Sequence, residues 1–216
     1  MRPRKNRVDP FGELFAAPDK GLFLGNRGDL HDADGRLGRR RCTTRAWICC
    51  SLDLRSFGPV KFDQPGHYYP LFFLDEATAL SAGHRPCALC RRLDWLRFKS
   101  AWRLAMSMPQ DRDLKADDID CALHAERQPG ARRHLRAASL FGDLPDGAFF
   151  SEDEGVDRAM LKLGQGGLLW SPSGYASRRP FDEAHLVRTI TPPSMLKVLS
   201  AGYRPVLHPS AENVRT

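Results

Sequence analysis

The sequence predicts an α+β chain: a small mixed module first, a helical middle, and a small antiparallel β-rich C-terminal part. Three observations predict this. Short apolar runs bounded by glycine, proline and aspartate recur at both ends, as in Leu71-Phe72-Phe73 and Gly167-Leu168-Leu169-Trp170. Between about residues 88 and 127, large apolar residues recur at helical spacing instead. Four of the six cysteines precede that helical stretch, Cys90 and Cys121 lie within it, and none follows it. The organisation expected is an arm over 1–20, a mixed module over 21–95, a helical segment over 96–130 and a β-rich domain over 140–216. The boundary is placed near 128–142, where Pro129-Gly130 breaks the helical pattern.

Each element has its own warrant. Residues 1–20 carry several charges and little periodicity, so an arm is expected. Leu22 to Leu24 reads as a short strand turned by Gly25 to Gly28, and Asp34-Gly35 as a hairpin turn in a charged loop. Ala46 to Leu54 reads as a buried strand. Phe57 to Tyr69, with Pro59, Pro65 and two glycines, reads as a loop. After the strand Leu71 to Phe73, Asp75 is suited to cap a helix over Glu76 to Ala82, which Gly83 ends. From Ala88 to Met106 a helix buries Trp95, Phe98, Trp102 and Ala105 along one stripe. A second, Leu114 to Arg127, turns Ile119 and Leu123 inward. Cys121 is expected as a small core residue on its inner face. In the last third, strands are expected at 148–150, 159–161, 167–170 and 186–190. A helix over Met195 to Ala201 follows, with Thr191 as its cap and Gly202 as its end. Leu199-Ser200-Ala201-Gly202-Tyr203-Arg204-Pro205 echoes Leu80-Ser81-Ala82-Gly83-His84-Arg85-Pro86. We read the echo as convergence on one way of stopping a helix.

Composition narrows the function. The 216 residues are 42% apolar and carry a formal charge of +7. No apolar run approaches the roughly 20 residues of a membrane span. The basic stretch Met1-Arg2-Pro3-Arg4-Lys5-Asn6-Arg7 has no apolar segment behind it, so no secretory signal is read there and a cytoplasmic, reducing location is expected. Six clustered cysteines then suggest metal ligation rather than disulfides. Arginine dominates the positive charge. That fits an arginine-rich bacterial proteome, and it also suits phosphate contacts through the planar guanidinium.

The segment Gly83-His84-Arg85-Pro86-Cys87-Ala88-Leu89-Cys90 carries the most committed chemistry. A Cys-x-x-Cys turn aims two thiolates into one coordination sphere while backbone N–H groups support the sulfurs, which suits half of a tetrahedral zinc site. Upstream, His31, Cys42, Cys49 and Cys50 are available. Adjacent strand residues point to opposite faces, so Cys49 and Cys50 cannot both bind one ion, and Cys50 is the third ligand chosen. Cys42 and His31 compete for the fourth place. Cys42 is preferred, since thiolate-rich sites suit zinc and it lies closer in sequence. The expected set is Cys42, Cys50, Cys87 and Cys90.

The stretch from Phe72 to Cys90, with its Ala-Gly-His-Arg-Pro-Cys-x-x-Cys ending, resembles the second half of the zinc-binding module of the Ada DNA-repair family. The resemblance is specific over roughly twenty residues and loose over residues 30 to 95. It implies a small mixed fold holding one zinc through four cysteines. In Ada, one zinc thiolate also accepts a methyl group from a DNA phosphotriester. The family's first cysteine pair is a tight Cys-x-x-x-Cys, whereas Cys42, Cys49 and Cys50 are spaced differently here.

Other candidates are weaker. Arg39, Arg40, Arg41, Arg85, Arg91 and Arg92 flank the thiols and are expected to form one positive, nucleic-acid-binding surface, for DNA more than RNA. His124 and Glu126, with Asp117, Asp118 and Asp120, could serve as an acid–base or metal group, although residues two apart on a helix diverge. Trp170, Tyr175 and Tyr203, with Arg178, Arg179, Arg204 and His208, could line a groove. The function expected is a zinc-binding, nucleic-acid-associated protein in a DNA-repair context with a structural site. The alternatives are a methyl acceptor, a nuclease, and a protein-interaction module.

Overall fold

The computed structural model describes residues 3–53, 64–109, 111–127, 138–152 and 158–214. In chain order come β1 (Lys5–Val8), β2 (Leu14–Ala16), β3 (Phe23–Asn26), β4 (Ile48–Ser51), β5 (Leu71–Phe73), α1 (Glu76–Ser81), β6 (Arg85–Pro86), α2 (Arg92–Ala105) and α3 (Ala116–Glu126). Then follow β7 (Ala138–Leu140), a 3-10 turn (Phe141–Asp143), β8 (Phe149–Ser151), β9 (Met160–Leu163), β10 (Gly166–Ser171), β11 (Gly174–Pro180), β12 (Leu186–Thr189), α4 (Pro193–Ser200) and α5 (Ser210–Asn213). The class is α+β.

The first sheet has the order β2-β1-β5-β3-β4-β6, with β1 parallel to β5 and β4 parallel to β6. The second, β11-β10-β9-β8-β12-β7, is antiparallel throughout. The first twenty residues are not the expected arm. Arg7 and Val8 pair with Phe72 and Phe73, and β2 folds back on β1. These strands are too short for periodicity to show. The expected strand end at Leu54, much of the 57–69 loop, and residues 128–137 of the expected boundary lie outside the described residues.

The first helix shows how local sequence sets geometry. Asp75 caps α1 by accepting from the Thr78 N–H at 2.8 Å, and Gly83, with φ +79°, ends it in the left-handed region. The echoed segment ends α4 the same way, with Gly202 at φ +97°. In both, the glycine N–H reaches the carbonyl three residues back, and the next residue reaches five back. Thr191 does not cap α4. Its Oγ1 accepts from the Phe149 N–H, and the α4 start is capped instead by Glu126, which accepts from the Ser194 N–H and Oγ.

The helices α2, α3 and α4 share a core in which Trp95, Phe98 and Trp102 meet Ile119, Leu123, Met195, Leu199 and Tyr203. Cys121 lies outside this core, half-buried, its thiol toward Asp117. A second core joins Leu74 and Ala77 to Phe149, Leu161, Leu168 and Tyr175. The 21–95 and 140–216 segments therefore share apolar interiors. Their contact centres on two fully buried carboxylates at the start of α1. Asp75 accepts from Tyr175 Oη (2.7 Å), Thr78 Oγ1 (2.7 Å) and the His208 N–H (3.2 Å). Glu76 accepts from Tyr203 Oη (2.6 Å) and the Val206 N–H (2.8 Å), and pairs with Arg91 (2.8 Å).

The three aromatics expected to line one groove are therefore anchors, with Tyr203 also bordering a hollow beside α2. Tyr175 and Tyr203 are buried, and Trp170 Nε1 donates to Thr78 Oγ1 at 3.2 Å. The nearby cations are likewise engaged. Arg178 donates to the Leu163 carbonyl, Arg179 pairs with Glu152, Arg204 donates to the Leu199 and Tyr203 carbonyls, and His208 meets Ser210. Tyr175→Phe deprives a buried carboxylate of one donor, so a loss of about 1–3 kcal/mol is expected in urea unfolding. A variant as stable as the parent would show that the Asp75 hub does not join the two parts.

Candidate metal centre

The strand β4 and the turn before α2 build the site together. β6 runs parallel to β4, with Cys49 opposite Pro86, and the Cys87 N–H donates to the Cys49 carbonyl at 2.9 Å. This register brings Cys50 beside the Cys-x-x-Cys turn. Alternation then separates the neighbours. Cys49 is fully buried in the core with Val8, Leu71 and Phe73, while Cys50 is half-buried and joins the other two thiols. The sulfurs of Cys50, Cys87 and Cys90 all lie within 4.8 Å of one another. Tetrahedral zinc with bonds of about 2.3 Å places its sulfurs about 3.8 Å apart, so a small adjustment seats an ion among them.

The electrostatics suit thiolates. Cys87 is held far below the usual thiol range by hydrogen bonds from Cys50 and Cys90, and by the backbone N–H groups of Cys90 and Leu89. Its bonds to Cys87 and Cys90 push the Cys50 thiol up. The Ser51 N–H supports the Cys90 sulfur. Three sulfurs this close cannot all carry charge without a cation among them. Tyr68, which no spacing rule singles out, stands beside the site. Burial and the charges of Cys50 and Cys90 raise its phenol.

Cys42 is not in this group, and among the described residues no fourth cysteine, histidine or carboxylate joins it. Cys42 lies near Arg127 instead. His31, the competing choice, turns Nδ1 to Asp29 (2.7 Å) and packs its ring on Tyr69.

The six arginines do not form one surface. Arg85 is buried, with its two bonds to Asp120 at 2.8 and 2.7 Å and its guanidinium over Trp95. Arg91 is also buried. It holds Glu76 and Asp94, donates to Cys49 Sγ at 3.3 Å and lies over Phe23. Arg91 thus ties the Cys-x-x-Cys turn to Glu76 of α1. Sequence proximity to the thiols was a poor guide because the chain enters the core immediately beside them. Arg39, Arg40, Arg41 and Arg92 are exposed.

The larger basic feature is the loop 36–45, where Arg36, Arg39, Arg40, Arg41 and Arg45 are all exposed. Two cations back it. Arg27 and Arg127 lie over the Trp47 ring at 3.9 and 4.4 Å. Burial, then the charges of Arg127 and Arg41, lowers Arg27 to about 9, and burial lowers Arg127 to about 10. Both stay charged at neutral pH. The acid–base candidate dissolves, since His124 is exposed and Glu126 caps α4. No family model, no curated protein and no solved structure matches the chain. Among the described residues, no helix is long and apolar enough to cross a membrane.

Proposed function

We propose that the protein binds one zinc ion through Cys50, Cys87 and Cys90 as a structural staple, and that the stapled scaffold presents its basic loop to nucleic acid. The observation that carries the metal reading is the convergence of three sulfurs within 4.8 Å from two separate chain segments. Borderline-soft zinc prefers such a donor set. The backbone N–H groups around the sulfurs stabilise thiolate charge. Stapling is the role that fits the position, because the ion would join β4 to the start of α2. Elemental analysis of purified protein tests it: about one zinc per chain is expected, and no stoichiometric metal rejects it.

The nucleic-acid reading rests on the net charge of +7 and on the five exposed arginines of loop 36–45, of which Arg41 pairs with Glu13 and Arg45 with Asp117. Clustered arginines release counterions when they meet phosphates, so affinity for duplex DNA should fall steeply with salt, with a log–log slope of about −3 for about three phosphates. Arg39→Ala with Arg40→Ala is expected to reduce that slope by about 2. Fluorescence anisotropy over a salt series measures it. Binding that is absent at low salt, or insensitive to salt, counts against the reading.

One observation favours a second reading. Cys90 is only partly buried, so the proposed site is not sealed. Incubation with DNA bearing methyl phosphotriesters, followed by peptide mass analysis, decides. A methyl gain on Cys50 or Cys90 would replace the structural role with a methyl-accepting one.

A further inference from the structure

Helix α2 is apolar on two opposite faces. Trp95, Phe98, Ala101 and Trp102 form the inward face and pack against α4. At about 100° per residue, Leu93, Leu96, Ser100 and Leu104 fall on the other side. Leu89, in the turn between Cys87 and Cys90, prolongs that line. These leucines stand in solvent: Leu89 is 69% exposed, Leu93 77%, Leu96 45% and Leu104 69%. Single exposed leucines need no explanation, but a row along one helix marks a contact surface.

The row has a charge frame. Arg92, Lys99 and Arg103 border one edge and Arg97 the other. The one acid on α2, Asp94, is held by Arg91 and Arg97. The surface is also concave at its far end. A cavity of about 390 Å³ lies on one side of Leu104, lined by Arg97, Ser100, Gly202, Tyr203 and Arg204. Another of about 520 Å³ adjoins Leu104 at the C-terminal end of α2, lined by Asp143, Leu144, Pro145, Leu196 and Lys197.

We infer that this face docks an amphipathic helix of a partner protein, apolar along its seam and acidic along both edges. The spacing 93, 96, 100, 104 within α2 is that of a helix–helix seam. A second copy of the chain is a poor occupant. Parallel or antiparallel, two α2 helices would set arginine and lysine edges against each other. A lipid surface is also a poor occupant. Interfacial helices sink a broad apolar face into the headgroup boundary, whereas this row is one leucine wide and every aromatic of α2 faces inward. The hollows beside Leu104 ask for side chains to fill them, and the charge of Arg92 and Lys99 along the row and of Lys197 beside its far end favours carboxylates on the partner.

The test uses the full-length protein and a labelled synthetic helical peptide with leucine along its seam and glutamate at both edges. Saturable binding is expected, and Leu93→Ser with Leu96→Ser should weaken it at least about tenfold. A peptide with lysine at the edges should not bind. Arg92→Glu with Arg97→Glu should reverse the preference between the two peptides. The serine variant alters exposed positions only, and its unchanged thermal unfolding excludes a folding defect. Failure of the glutamate peptide to bind, or equal binding by the serine variant, overturns the inference. So does sedimentation showing a dimer that Leu93→Ser abolishes, or flotation with phosphatidylserine vesicles that Leu93→Ser abolishes.

Discussion

Cys87→Ser is expected to remove the zinc and to destabilise the protein by more than the about 2–5 kcal/mol of a core truncation. Cys87 is the most buried of the three thiols, and its sulfur accepts from Cys50, Cys90 and two backbone N–H groups. A hydroxyl there binds zinc poorly, and without the ion Cys50 and Cys90 take up protons and no longer join β4 to the start of α2. The binding free energy of a structural zinc is folding free energy, so metal and stability should be lost together. Metal analysis and urea unfolding, with and without chelator, measure both. Chelator should destabilise the parent and leave the variant unmoved. Acid should act like chelator, because protons compete with zinc for all three sulfurs. Cys42→Ser is the contrast, and should retain its metal. A Cys87→Ser protein that keeps one zinc and its stability would end the proposal. Loss of zinc from Cys42→Ser would add Cys42 as a fourth ligand.

What the sequence made legible was local. Asp75, Gly83 and the Cys-x-x-Cys turn act through neighbours a few residues away, and the structure places them as their residue types require. Alternation along β4 was enough to separate Cys49 from Cys50. The stripe of Trp95, Phe98 and Trp102 was legible because helical period and aromatic size point the same way. What depended on distant partners was not. Nothing near Tyr175 says that its hydroxyl ends on Asp75, a hundred residues away. Nothing near Glu126 says that it caps a helix starting at Pro193. The strands β1 and β2 are three or four residues long, below the length at which alternation is visible. Arginine misled most, because one residue type serves a phosphate surface, a buried ion pair and a cation–π stack.

Asp120→Ala separates the first two of those roles. Arg85 and Asp120 are both buried, and the fork of Arg85 meets both carboxylate oxygens, at 2.8 and 2.7 Å. Removing the carboxylate leaves the guanidinium between β6 and α3 with the Pro86 carbonyl and the Trp95 ring as its remaining partners. An uncompensated buried charge of this kind costs about 3–5 kcal/mol. Urea unfolding of Asp120→Ala should show a loss of that size. The pair itself is not worth that much, because burying both charges already cost desolvation. Arg85→Met combined with Asp120→Leu should therefore recover most of the loss. If Arg85 instead contacts phosphate, the double variant would bind nucleic acid more weakly at the same folded fraction. The burial predicts no such change, since Arg85 is already committed to Asp120. A single variant within about 1 kcal/mol of the parent, the scale of an exposed pair, would mean that Arg85 escapes to solvent, and would return it to the candidates for a nucleic-acid surface.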